Sequence, residues 1–143
     1  MIDIPGSTAL RFSLKQGNVF YFVDESFSDI PHLFVVLNKD HENDNEICFV
    51  SFTSKSDIQR KRCKGHPEET LIEIDQADYK ELNIKSAINR NDVKHGAKAD
   101  LVEMVDKHRV SFHKSPVPND LLQKILAGVN ASNVVEKKIK KLL

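Results

Sequence analysis

A chain of 143 residues, 40% of them apolar and 29% charged, can bury one hydrophobic core and is too apolar to stay disordered. Lys plus Arg and Asp plus Glu number 21 each, so the chain has no overall basic field, and any nucleic-acid contact must come from local patches. No apolar run approaches the roughly 20 residues that span a bilayer, and Met1-Ile2-Asp3-Ile4-Pro5 lacks the basic and apolar regions of a secretory signal. The expectation is a single-domain cytoplasmic protein without membrane contact.

Residues 1–9 read as a flexible tail. Lys15-Gln16-Gly17-Asn18 is a turn signal leading into Val19-Phe20-Tyr21-Phe22-Val23, a buried first strand. Residues 24–31 are a polar connection ending in Pro31. Two apolar runs follow, Leu33-Phe34-Val35-Val36-Leu37 and Ile47-Cys48-Phe49-Val50-Ser51-Phe52, separated by the wholly polar residues 38–46. Both have strand length and many β-branched and aromatic residues, which predicts a long-looped hairpin. Residues 55–69 carry charge, glycine and His66-Pro67 and read as a mobile surface segment.

Thr70-Leu71-Ile72-Glu73-Ile74 resumes a strand. Asp75 stands in N-cap position for one or two helical turns reaching Leu82. Ile84-Lys85-Ser86-Ala87-Ile88-Asn89 and Val110-Ser111-Phe112 read as short strands, with loop or irregular strand over residues 89–100. Ser115-Pro116-Val117-Pro118 then breaks any strand, and Asn119 can cap a helix carrying Leu121, Leu122, Ile125, Leu126 and Val129 on one face. Gly128 and Asn130 offer an end for it. Val134, Val135, Ile139, Leu142 and Leu143 form a second apolar face on a lysine-rich segment. The predicted layout is a small β-barrel over residues 10–115 and a helical segment over 116–143, a mainly β fold.

If the two hairpin runs pair, Pro31-His32 lies beside Thr53-Ser54, setting an imidazole near two hydroxyls at one end of the sheet. The basic stretch Arg60-Lys61-Arg62-Cys63-Lys64 follows closely, and its cations are expected to lower the Cys63 thiol pKa. Cys48, inside an apolar strand, reads as a small buried hydrophobe. Plainer readings stand beside each: a loop histidine next to a proline, a strand-end hydroxyl capping local backbone, and a solvated charged surface. The second basic patch, Lys137-Lys138 with Lys140-Lys141, reads as solvated surface.

Other chemistries fit poorly. Cys63 with His66, and His108 with His113, have spacings like paired zinc ligands. Residues five apart on a strand, however, face opposite sides, and Val110 and Phe112 favour a strand there. His41 and His95 lie in polar stretches. Asp24, Glu25, Asp75 and Asp78 are dispersed, and the five glycines stand too far apart for a phosphate loop. No metal and no cofactor is expected.

Four stretches together resemble the MazF/PemK-like family, small SH3-like barrels best known as ribosome-independent mRNA-cleaving toxins. These are Lys15-Gln16-Gly17-Asn18-Val19, the Leu33 to Leu37 strand, Phe49-Val50-Ser51-Phe52-Thr53-Ser54 and Ser86-Ala87-Ile88-Asn89. The likeness spans roughly residues 14–129. It implies that Thr53 takes the position of the family's phosphate-contacting threonine, with Ser54 after it. Where family members open the second strand with Arg-Pro, this chain has Pro31-His32. An arginine's permanent charge and bidentate phosphate grip are thereby replaced by a group that titrates near neutrality.

The activity so implied is metal-free cleavage of single-stranded RNA by attack of a ribose 2′-hydroxyl on the adjacent phosphate. His32 would be the acid or base, and Thr53 and Ser54 the phosphate donors. Lys55, Arg60, Arg62 and Lys64 would supply RNA-binding charge in place of the missing arginine. The implied partners are single-stranded RNA, an antitoxin protein and a second copy of the chain. The alternative is a noncatalytic SH3-like barrel that binds protein or nucleic acid in a toxin–antitoxin or phage-defence setting.

Overall fold

The computed structural model describes residues 14–22, 32–40, 42–53, 56–65, 67, 70–82, 84–100, 110–111 and 115–143, with residues 21, 22, 32, 56–58, 110 and 111 described by backbone alone. The expected tail over 1–9, and Val23, Pro31 and Phe112, lie outside them. Seven strands occur among the described residues: β1 Val19–Phe22, β2 His32–Val36, β3 Glu46–Ser51, β4 Leu71–Ile74, β5 Ser86–Asn89, β6 Lys94–Ala97 and β7 Val110–Ser111. Three helices have both ends among the described residues, α1 Ser56–Arg62, α2 Asn119–Ala131 and α3 Lys137–Lys140, and residues 98–100 are helical as well.

The strands form a five-stranded sheet of order β6-β3-β2-β1-β7 and a two-stranded sheet of β4 and β5. Every pairing is antiparallel. The sheets are linked where the chain leaves β3: Thr53 and Ala87 exchange backbone hydrogen bonds of 3.0 and 2.7 Å. The fold is mainly β, two antiparallel sheets with a C-terminal helix, and neither sheet closes on itself among the described residues.

The apolar runs are continuous rather than alternating because both faces of the larger sheet are covered. Val19, Val35, Leu37, Cys48 and Val50 point into a core completed by Ile74, Ile88, Leu121, Ile125, Val129 and Ile139. Successive strand residues face opposite ways. The other face therefore carries Phe20, Phe34 and Phe49, whose rings meet at centroid distances of 5.2 to 5.7 Å. Phe20 and Phe34 are buried too. Edge-to-face and offset pairs of this kind add to the stabilisation from burial alone.

Gly17 makes the turn before β1. Its φ of +87° is left-handed, and its N–H donates to Val36 O at 2.8 Å. A Cβ there would sit 3.2 Å from Leu122 of α2, so the turn also seats the helix. The polar β2–β3 connection is organised by Asn38, which is wholly buried. Its amide donates to Asp44 at 2.9 Å and to Glu46 O at 2.8 Å, and its Oδ1 accepts from Cys48 N at 2.7 Å. All four amide sites need partners in such a place, and three are met, one by the loop and two by the start of β3.

Four local expectations change. Residues 55–69 are not simply loop, because α1 occupies part of them and buries Gln59. Asp75 nucleates a turn rather than a helix. Its carboxylate accepts from Ala77 N at 2.9 Å while Asp78 accepts from Asp75 N at 3.1 Å, a local alternative that competes with helical bonding. Asn119 is the first residue of α2, and Pro118 occupies the cap without a side-chain bond. Gly128 lies inside α2 for packing, not termination. Arg90, itself buried, donates to Lys124 O, and its side chain fills the space that a Gly128 Cβ would need.

Candidate functional site

The hairpin pairs Phe34 with Ser51, Val35 with Val50 and Val36 with Phe49. Phe52 N donates to Leu33 O at 2.9 Å. The same register carried one step further sets the His32 backbone across from Thr53, where the chain turns away to Ala87. On its other side His32 pairs with Phe22 of β1. The two chain ends thus lead out of one strand pair, and Thr53 itself bridges to Ala87 of β5. Ser54 and Lys55 lie outside the described residues, and His32 is described by its backbone only. Thr53 is half-buried. Its N–H is committed to Ala87 O.

Three residues past Thr53 the chain enters α1, whose last turn holds Arg60, Lys61 and Arg62. Cations at a helix C-terminus complement the macrodipole, which is reason enough for the cluster without any ligand. Among its described side chains the helix is held by polar anchors. Asn89 Nδ2 donates to Gln59 Oε1 at 3.2 Å, and Asn91 Nδ2 lies 3.8 Å from Cys63 Sγ. Ser132, just past α2, donates its hydroxyl to Asn91 Oδ1 at 2.6 Å. Elements from three parts of the chain are thus tied together under α1.

Beside this helix lies an open cleft of about 500 Å³, lined by Arg60, Lys61, Cys63, Lys64, Gly65, Pro67 and Leu71. Arg60 and Lys64, both expected as RNA-binding residues, line it. Arg62 is exposed but does not. Lys61 does, and is not among the residues expected to bind. The rim is cationic and the floor, Cys63, Pro67 and Leu71, is apolar.

One carboxylate complicates the charge. Arg60 Nε lies 2.5 Å from Glu73 Oε1, and Lys85 Nζ lies 3.6 Å from Glu73 Oε2. The Arg60 hydrogen bond is the main cause holding the Glu73 carboxyl below its usual value; desolvation opposes it, and the charges of Arg60 and Lys85 add smaller lowering effects. No local signal reveals this partnership, because Glu73 sits on β4, 13 residues from Arg60.

The expectation for the Cys63 thiol is reversed. Burial pushes its pKa up, and this outweighs the lowering effects of the Asn91 hydrogen bond and the Arg90 charge. The neighbouring cations in sequence are on the exposed side of the helix, while Cys63 is 8% exposed. Cys48, fully buried, is pushed up to about 12 mainly by burial. Neither is an activated nucleophile.

No group of three or more His, Cys, Asp or Glu side chains that could hold a metal occurs among the described residues. His41, His66, His108 and His113 lie outside them. His95, on β6, is exposed and pairs with Glu46. No helix among the described residues is long and apolar enough to cross a membrane. Compared with known proteins, the chain matches no protein-family model and no curated protein.

Proposed function

We propose that this chain is a cytoplasmic SH3-like barrel of the MazF/PemK type that cleaves single-stranded RNA without a metal. One observation carries the reading. Continuing the hairpin register one step beyond the Phe52–Leu33 bond would bring His32 opposite Thr53, and α1 begins three residues later, its Arg60 and Lys61 lining the basic cleft with Lys64. The His32 imidazole takes the proton from a ribose 2′-hydroxyl, or gives one to the departing 5′-oxygen. General acid–base help of this kind is worth about 10²–10⁴-fold. The Thr53 and Ser54 hydroxyls donate to the phosphoryl oxygens, where positioned donors contribute at least as much. The cleft cations hold the backbone on the 3′ or 5′ side. The partners in this reading are single-stranded RNA, an antitoxin protein and a second copy of the chain.

A second reading is favoured by the Arg60–Glu73 pair. With the replacement cation already held by a carboxylate, the protein is a noncatalytic barrel whose cleft binds without cleaving. Incubating the purified protein with mixed-sequence RNA, with and without chelator, separates the two. Cleavage that survives chelator and stops in His32→Ala supports the nuclease. An inert wild-type protein that still retains RNA on a filter supports the binding barrel.

A further inference from the structure

We infer that Glu73 is the selectivity residue of the basic cleft: it occupies Arg60 as an internal counter-ion that a phosphate chain must displace. This rests on the reading of the cleft as the RNA-backbone site. The geometry is specific. Of the four cations in residues 60–64, Arg60 both lines the cleft and is bonded to a carboxylate, at 2.5 Å from Nε to Oε1. Lys85 is drawn to the other oxygen of the same carboxylate at 3.6 Å. Glu73 therefore presents to two cations the pair of oxygens that a phosphodiester would present.

Lys61 and Lys64 line the same cleft and are exposed. An anion with a single charged group gains little by exchanging places with Glu73, since one oxygen pair replaces another. A chain of phosphates gains more, because neighbouring groups reach Lys61 and Lys64 while one of them takes Arg60. The pair is partly exposed, with side-chain accessibilities of 52% for Arg60 and 27% for Glu73, so exchange needs no unfolding. Weak binding of single anions and cooperative binding of chains follow.

The test compares wild type, Glu73→Gln, and Lys61→Gln with Lys64→Gln, using a fluorescent mixed-sequence 12-nucleotide RNA, inorganic polyphosphate and inorganic phosphate. Glu73→Gln should tighten RNA and polyphosphate binding by roughly two- to fivefold at low salt, the range that an exposed ion pair is worth. It should steepen the RNA salt dependence by about 0.7 log units per log unit of salt for each further phosphate neutralised. Its advantage should vanish in Glu73→Gln with Arg60→Gln. Unchanged or weaker binding by Glu73→Gln, while the double lysine variant does lose affinity, overturns the inference and leaves the cleft as the binding site. If the lysine variant binds RNA as wild type does, the cleft reading itself fails. Tightening for polyphosphate alone keeps the role of Glu73 and removes RNA as the ligand. Glu73→Gln should also let inorganic phosphate reach Arg60, narrowing the preference for chains over single anions; phosphate binding left unchanged by Glu73→Gln overturns the selectivity.

Discussion

The two longer helices are held to the sheets by opposite means. α2 lays Leu121, Ile125 and Val129 into the core at helical spacing, and each such side chain contributes about 1.5–3 kcal/mol when fully buried. α1 has seven residues, and its described ties are polar: the Gln59–Asn89 bond and the Arg60–Glu73 pair, with Cys63 just past its end against Asn91. A typical hydrogen bond contributes about 1 kcal/mol net. α2 is therefore part of what makes the fold stable, while α1 is a lightly fastened carrier of charge. A helix that must yield to a ligand belongs to the second kind.

Breaking the apolar attachment should have the largest effect. Ile125 is wholly buried, and Ile125→Ala should cost about 2–5 kcal/mol, depending on how far the core collapses around the gap. Urea unfolding with an unchanged slope and a lowered midpoint is the expected result. A loss below about 1 kcal/mol would mean that α2 is not seated as described, and the contrast between the helices would fall. Asn89→Ala probes the polar attachment. It removes the Gln59 contact and the bond that Asn89 Oδ1 accepts from Asn91 N at 3.0 Å. The stability cost should be about 1–3 kcal/mol, since a buried amide loses its partner. Its distinctive signature is local: trypsin should cut faster after Arg60, Lys61, Arg62 and Lys64 than the change in global stability accounts for. Cleavage that rises only in step with global unfolding would show α1 to be as firmly held as α2.

The same contrast explains what can be read from the sequence. The hairpin is legible because two apolar strand-length runs flank a polar loop, and pairing them fixes which ends meet. α2 is legible because Leu121, Ile125 and Val129 repeat at helical spacing. α1 is not, because its described anchors are a glutamine and an arginine held by an asparagine and a glutamate, residues that carry no periodic signal. The turn after Asp75 misleads for a related reason: an aspartate ahead of good helix formers suits an N-cap and an Asx turn equally. The partners of Arg60 and Cys63 come from β4 and from the segment after β5. Charges adjacent in sequence therefore give the wrong sign for the Cys63 thiol, whose burial is a tertiary property.

The smallest expected effect on stability sharpens the comparison at Glu73. Its folded pKa is lowered, first by the Arg60 hydrogen bond and then by the Arg60 and Lys85 charges. A depressed carboxyl contributes stability above its unfolded pKa, about 4.3 for glutamate, and loses it as pH falls through the folded value. Arg60 stays charged throughout that range, so the titration belongs to the carboxylate. Wild type should therefore melt slightly higher than Glu73→Gln at every pH above about 5, by a constant margin, and the two should converge as pH falls through and below the lowered folded value. The margin should also shrink in high salt, because an exposed pair is screened. Thermal melts of both proteins from about pH 3 to 8 measure it directly. A margin that does not change with pH or salt at all would assign the Glu73 contribution to packing rather than charge, and would leave Arg60 without a counter-ion.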